Sequence, residues 1–263
     1  MLFLIRHRYA WFMPAGTLLA ALSNSVAADS DFRVFGGYAV QEKSLEFHLN
    51  TIPIDSTQKT GNFSLGAASR GAYVLLELER PFSQDISIAQ PLTQPVQISI
   101  EREDSTLTVG YNLWRSLNLF VGRKSGRTNV ESELISTTNS IVAVGYRYSE
   151  KGYFAGASYS FDFDARGQLG LSLAHADLPT EVSGSWYGSP AAAAVFTSGT
   201  TRGTSYGIKW TGPLAPQLDY SIGYKLSKYE FMDKALTADS GGGFGLSTKQ
   251  DYKTFSIGIS KIF

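Results

Sequence analysis

Histidine is the side chain best suited to act as a base near neutral pH. Beyond a basic N-terminal segment this chain carries two, His48 and His175. An esterase, deacylase or protease would need such a base beside a Ser, Asn, Asp or Glu, to activate a hydroxyl or a water. His48 has Glu46 two residues before it on the same strand face, and His175 has only Asp177 nearby. His175 follows Leu173 in alternation, on an outward-facing phase. The expectation is therefore no catalytic residues and no enzyme. Asp162 and Asp164 put two acids at a turn, where carboxylates are solvated. Gly241-Gly242-Gly243 lacks the Lys-Ser/Thr and the helix of a phosphate loop. No metal-ligand spacing is present, and the absence of cysteine excludes disulfides and thiolate chemistry. No cofactor is expected.

The charges that matter are those set among small residues. Asp162, Lys209, Asp219 and Lys225, with Glu77 and Glu79, fall on the small-polar face of alternating segments. If that face lines an interior, each charge must be paired or hydrated, because an unpaired charge in low dielectric is costly. Two readings stay open: an internal ion-pair network that fixes the fold, and a solute pathway lined by these groups.

The elements that must position them are β-strands. Successive strand side chains point to opposite faces. In Asp251–Phe263, Lys253, Phe255, Ile257, Ile259, Lys261 and Phe263 share one face, and Tyr252, Thr254, Ser256, Gly258, Ser260 and Ile262 the other. From Ala72 onward a unit of strand, tight turn and strand recurs. Its members are 72–80 with 85–90 around a turn at Pro81–Gln84, 106–113 with 117–122, 153–163 with 169–174, and 205–211 with 218–227. Each shows period-two alternation, the signature of half-buried strands. Phe32–Leu49 supplies a first strand whose phase is expected to change near Glu42-Lys43. Residues 50–70, rich in Ser, Thr, Gly and Asn, read as a loop. Within 141–163 the phase is expected to shift at Ser149–Gly152, by a bulge or a turn.

A soluble sandwich would give the same alternation. Two features favour a barrel in a membrane. Turns within units are short while 128–140, 179–201 and 232–250 read as long loops, the asymmetry of outer-membrane barrels. Trp114, Phe161, Phe163, Trp210 and Phe82 lie beside the short turns, as a girdle at one interface would require, and Phe263 joins them. Tyr148, Tyr229, Phe231 and Tyr252 are expected to form the second girdle. The fold expected is all-β, a closed antiparallel up-and-down transmembrane β-barrel of about ten strands, with eight or twelve as alternatives. Eight would follow if 50–104 formed a loop and plug.

Composition agrees. The 263 residues suit one domain, and Gly (26) and aromatics (13%) are plentiful. Residues 1–28 read as a secretory signal peptide, with Arg6, His7 and Arg8, an apolar stretch and the small residues Ser25-Val26-Ala27 or Val26-Ala27-Ala28 for cleavage. That leaves 29–263 as the barrel domain. Removing Arg6 and Arg8 leaves 21 basic residues against 23 acidic, with no concentrated basic face for nucleic acid. No apolar run beyond the leader is long enough for a transmembrane helix.

The leader, the alternating strands, the Tyr111-Asn112-Leu113 and Gly223-Tyr224 elements beside short turns, and the strand ending in Phe263 together resemble the small outer-membrane β-barrel proteins of Gram-negative bacteria. Phe255, Ile257, Ile259 and Phe263 resemble that family's C-terminal assembly signal, and Lys261 departs from it. The resemblance implies residence in the outer membrane, insertion by the barrel-assembly machinery and contact with outer-membrane lipid and lipopolysaccharide. The function expected is non-enzymatic: a structural role, or a narrow porin-like channel or binding site for a small solute. A barrel enzyme acting on lipid A or peptides, and a secreted soluble β-sandwich binding module, are the alternatives.

Overall fold

The computed structural model describes residues 32–49, 52–88, 96–114, 116–135, 141–187, 194–233 and 248–263. Among them it has ten strands: β1 (Phe32–Leu49), β2 (Ile52–Ser69), β3 (Ala72–Ile88), β4 (Val96–Asn112), β5 (Leu117–Ile135), β6 (Ile141–Asp162), β7 (Gln168–Tyr187), β8 (Ala194–Ala215), β9 (Leu218–Asp233) and β10 (Thr248–Ile262). Each pairs antiparallel with its neighbours in the chain, and β1 pairs with β10, so the sheet closes into a barrel. Closure leaves no free sheet edge, which is what a membrane demands of a β-structure.

The register fixes the shape. Phe35 lies opposite Gly66, and the circuit continues through Leu75, Thr108, Gly122, Phe154, Ala176, Gly203, Tyr229 and Gln250 back to Phe47. The circuit returns to β1 twelve residues above its start, from Phe35 to Phe47. With about 3.3 Å per residue and about 4.8 Å between strands, that stagger gives a tilt of about 40° and a radius of about 10 Å. Each residue along a strand then climbs about 2.5 Å, and each step to the next strand about 3 Å.

On this scale the exposed apolar side chains form rings. Phe63, Leu76, Leu107, Val121, Leu173, Ile208 and Ile257 all point outward and are exposed, and all fall about 10 Å above Phe35. The belt runs from Trp114, Phe163 and Phe263 at the short-turn end to Phe255 and Tyr153 above, about 20–25 Å tall, the height of a lipid-facing band. The strands continue beyond it.

The turns at the lower end are tight. Arg70 (φ 49°) and Gly71 (φ 84°) both take positive φ, the geometry of a type I′ hairpin turn. A short 3-10 turn, Asp164–Arg166, joins β6 to β7, and residues 216–217 join β8 to β9.

Several expectations are corrected. Residues 52–69 are strand β2 rather than a loop. Its inward residues Ser56, Gln58, Thr60, Asn62 and Ser64 are buried, and lumen residues share the small polar vocabulary of loops. Pro81–Gln84 is not a turn but lies within β3, at a register shift opposite Lys59 and Thr60. Pro81 lies opposite Thr60 beside this bulge, a place where a residue that cannot donate to the ladder is tolerated. The missed β2 and the divided β3 cancel, so the count of ten stands with different members. β1 keeps one phase throughout, with Phe35, Ala39, Gln41, Lys43 and Leu45 all buried. β6 keeps one register through Ser149–Gly152, with neither bulge nor turn. Of the expected long loops, 128–135, 179–187 and 194–201 are strand, while most of 232–250 lies outside the described residues. Residues 1–28, 190–193 and 241–243 lie outside the described residues.

Candidate functional site: the barrel lumen

The lumen changes character with height. Its outer part, above the belt, holds a buried apolar cluster of Leu45, Ile100, Tyr148, Leu178, Val182, Tyr229, Phe231 and Tyr252, with Ala176. Four of these, Tyr148, Tyr229, Phe231 and Tyr252, are the aromatics expected as an outer girdle. The structure corrects that expectation: they face inward, and Tyr229 and Tyr252 meet edge to face with ring centroids 5.9 Å apart. Phe82 is corrected too, since it lies high on β3, far from the short turns.

Against this cluster lies a cage of six charges centred on Arg102, which is 2% exposed. Its Nε and Nη2 donate to the two Asp104 carboxylate oxygens at 3.1 and 3.0 Å. Nη2 also donates to Glu150 Oε2 at 2.7 Å, and Nη1 to Thr128 Oγ1 at 3.0 Å and Tyr252 Oη at 2.9 Å. All five guanidinium N–H groups are therefore engaged, the condition under which a buried Arg is tolerated. Tyr252 passes the bond on, donating to Gln250 Oε1 at 2.5 Å. Lys43 pairs with Glu79 and lies 3.4 Å from Asp104, and Lys124 lies 3.5 Å from the same carboxylate. Lys43, Arg102 and Lys124 thus balance Glu79, Asp104 and Glu150. Lys43 and Arg102 also stand over the Tyr252 ring, at 5.7 and 5.2 Å.

Below the cage, inside the belt, is a cavity of about 190 Å³. Arg102, Asp104 and Tyr252 lie on its upper side, and Phe120, Ser158 and Lys209 toward its floor. Glu77, Lys209 and Lys225 line it, among Thr108, Ser172, Ser205 and Ser256. A second apolar cluster, Phe35, Tyr73, Leu75 and Phe120, fills the β1–β5 side beneath. Phe120 lies over Gly156, and Phe154 of the next strand over Gly122. A Cβ on either glycine would fall 2.5 and 2.4 Å from the facing ring. Glycine is required there by close approach.

Of the four charges expected in the lumen, Lys209 and Lys225 line the cavity. Asp219 is half-buried on the inward phase nearer the lower end, where its charge reaches Lys209. Asp162 is corrected: it is exposed at the turn, where it accepts a hydrogen bond from the Asp164 backbone N–H at 3.1 Å. Arg102, Asp104, Glu150, Lys43 and Lys124 went unnoticed in the sequence. The signal was there, since Arg102 and Asp104 share the even phase of Thr108 and Gly110.

Trp114, Phe161, Phe163 and Trp210 gather at the short-turn end. Trp114 is 70% exposed, Phe163 stacks on Trp210 at 5.5 Å, and Trp210 donates to Tyr220 Oη at 3.0 Å. Phe255, Ile257, Ile259 and Phe263 line the outer face of β10, and the Phe263 N–H donates to the Val34 carbonyl at 2.8 Å. His175 faces outward, with Nδ1 3.3 Å from Thr204 Oγ1, and its neighbour Asp177 is held by Arg202 at 2.9 Å. The His48 side chain lies outside the described ones. Among the described residues no group of three His, Asp or Glu side chains could hold a metal.

Comparison with solved structures agrees with this architecture. The outer membrane protease OmpT from Escherichia coli superposes with a TM-score of 0.53 at 9% identity, over 92% of this chain and 100% of that one. The translocator domain of the autotransporter NalP from Neisseria meningitidis gives 0.51 at 11% identity, over 89% of each chain. No family model and no curated protein sequence matches the chain. The protein has the fold of outer-membrane β-barrel proteins, and its apolar belt places it in the outer membrane.

Proposed function

We propose that the protein is a non-enzymatic outer-membrane barrel whose lumen is closed to free solute flow. The observation that carries this reading is the Arg102 cage lying against the apolar cluster across the outer lumen. A ten-stranded barrel has a lumen that side chains can fill, and here six balanced charges and nine apolar side chains fill its outer part. Opening a water path would separate bonded charges and wet a packed core. The outward orientation of His175 also speaks for a non-enzymatic barrel: its residue borders the cavity, but the imidazole is exposed on the outer face of β7, beside Thr204 rather than among the lumen charges.

Planar-bilayer recording on the purified, refolded barrel tests the closed lumen. The expected record shows no stable conductance steps at any voltage that the bilayer survives. Reproducible ohmic steps from the wild-type protein would overturn the reading and make the lumen charges a pathway.

A further inference from the structure

Glu77 is 9% exposed, and its Oε1 has no hydrogen-bond partner. It forms no ion pair among the described residues. It lies on β3, five strands around the ring from Lys209 on β8, so the two face each other across the cavity. Lys225, on β9, lies at nearly the level of Glu77. Lys225 and Lys209 are the cations whose charge acts most on the Glu77 carboxylate. The cage above is neutral, and all five Arg102 donors are used. Below it, Glu77 and Asp219 balance Lys209 and Lys225.

A buried carboxylate oxygen without a donor, facing the accessible ammonium of Lys225 across the cavity, is half of a binding arrangement. A bare anion would satisfy Lys225 and leave Glu77 unserved. A bare cation would do the reverse. A molecule carrying both charges serves both walls and leaves the lumen neutral.

We propose that the cavity binds a small, net-neutral zwitterion of the α-amino-acid class, its ammonium donating to Glu77 and its carboxylate accepting from Lys225. A volume of about 190 Å³ suits a solute of that size. The Thr108 hydroxyl, buried on the adjoining strand without a partner, offers a further polar contact. The roof of ion pairs closes the outer side, so exchange runs through the lower mouth, where Asp219 and Lys209 stand.

The test is titration calorimetry on the intact barrel in detergent micelles. The probes are L-serine, L-glutamine, acetate, methylammonium and glycine betaine. Saturable binding is expected for the two amino acids, with acetate and methylammonium about tenfold weaker or more, because each loses one charge-assisted bond. Glycine betaine, with no N–H to give Glu77, should also bind weakly. Glu77→Gln and Lys225→Met should each weaken L-serine by about tenfold. Both variants must keep the wild-type shift between boiled and unboiled gel mobility, which separates lost binding from lost folding. No saturable heat with either amino acid overturns the proposal, as does unchanged affinity in both folded variants. A conducting wild-type barrel would defeat the closed-lumen reading and leave this binding result to be judged on its own.

Discussion

Replacing Arg102 should cost more than replacing either acid it holds, and the effect of Glu150→Gln should change sign with it. Arg102→Ala leaves Asp104 with Lys43 and Lys124 at 3.4 and 3.5 Å, so that carboxylate stays compensated. Glu150, 2% exposed, loses the one cation within ion-pair distance among the described residues. Stranding a buried charge in this way costs about 3–5 kcal/mol. Glu150→Gln alone is milder. Its amide oxygen still accepts from Nη2, and Arg102 keeps Asp104, Thr128 and Tyr252, so the loss is about 1 kcal/mol. In the Arg102→Ala background the same change removes the stranded charge, and should therefore stabilise. Urea unfolding of the barrel in lipid vesicles, followed by tryptophan fluorescence, gives the four free energies of the cycle. An Arg102→Ala cost below about 1 kcal/mol, or a Glu150→Gln effect of the same sign in both backgrounds, would refute the cage as a paired network.

Three further outcomes are expected. Gly156→Ala pushes a Cβ into the Phe120 ring and the Leu173 carbonyl, and should cost about 1–3 kcal/mol in the same unfolding assay. Ile257→Lys, in the middle of the belt, should cost about 2–4 kcal/mol in vesicles, whereas Phe82→Lys, above the belt, should stay within about 0.5 kcal/mol. Trp210→Ala removes the Phe163 stack and the bond to Tyr220, and should cost about 1–2 kcal/mol in vesicle-refolding equilibria.

Within the belt the sequence was readable because lipid outside and side chains inside impose opposite chemistries at every other residue. The β10 alternation of Phe255, Ile257 and Ile259 against Ser256, Gly258 and Ser260 describes the structure as it stands. β2 was hidden because Ser56, Gln58, Thr60 and Asn62 are the residues from which loops are also made. The upper aromatics face the lumen because the strand phase, not the residue type, sets the face. Tyr229 and Phe231 share the odd phase of Lys225 and Ser227, and that phase is the lumen. The ion pairs could not be read, since Lys43, Arg102 and Lys124 meet only through the circuit of strands.

The apparent change of phase in β1 has a physical cause that recurs around the barrel. On β1, Val40 is outward and Gln41 and Lys43 inward, but two residues further Leu45 is buried inside and Glu42 is exposed. On β9, Ile222 and Tyr224 are outward with Gly223 and Lys225 inside, and higher up Lys228 and Glu230 are outward with Tyr229 and Phe231 inside. On β7, Leu171 and Leu173 give way to Asp177 and Glu181 outside, as Ser172 gives way to Leu178 and Val182 inside. β4 does the same, with Leu107 and Val109 outside Thr108, then Glu101 outside between Ile100 and Arg102. The phase never shifts; the polarity of the two faces inverts. On the scale set by the register, every inversion falls about 17–20 Å above Phe35. One level shared by four strands marks a boundary in the surroundings. Below it lipid claims the apolar side chains and leaves polar ones for the lumen. Above it water claims the polar ones, and the lumen is free to be packed as an ordinary protein core. The Arg102 cage sits at and just above that boundary, where the polar lumen meets the apolar one. Its charges face the cavity on one side and rest on the cluster of Tyr252 and Tyr229 on the other.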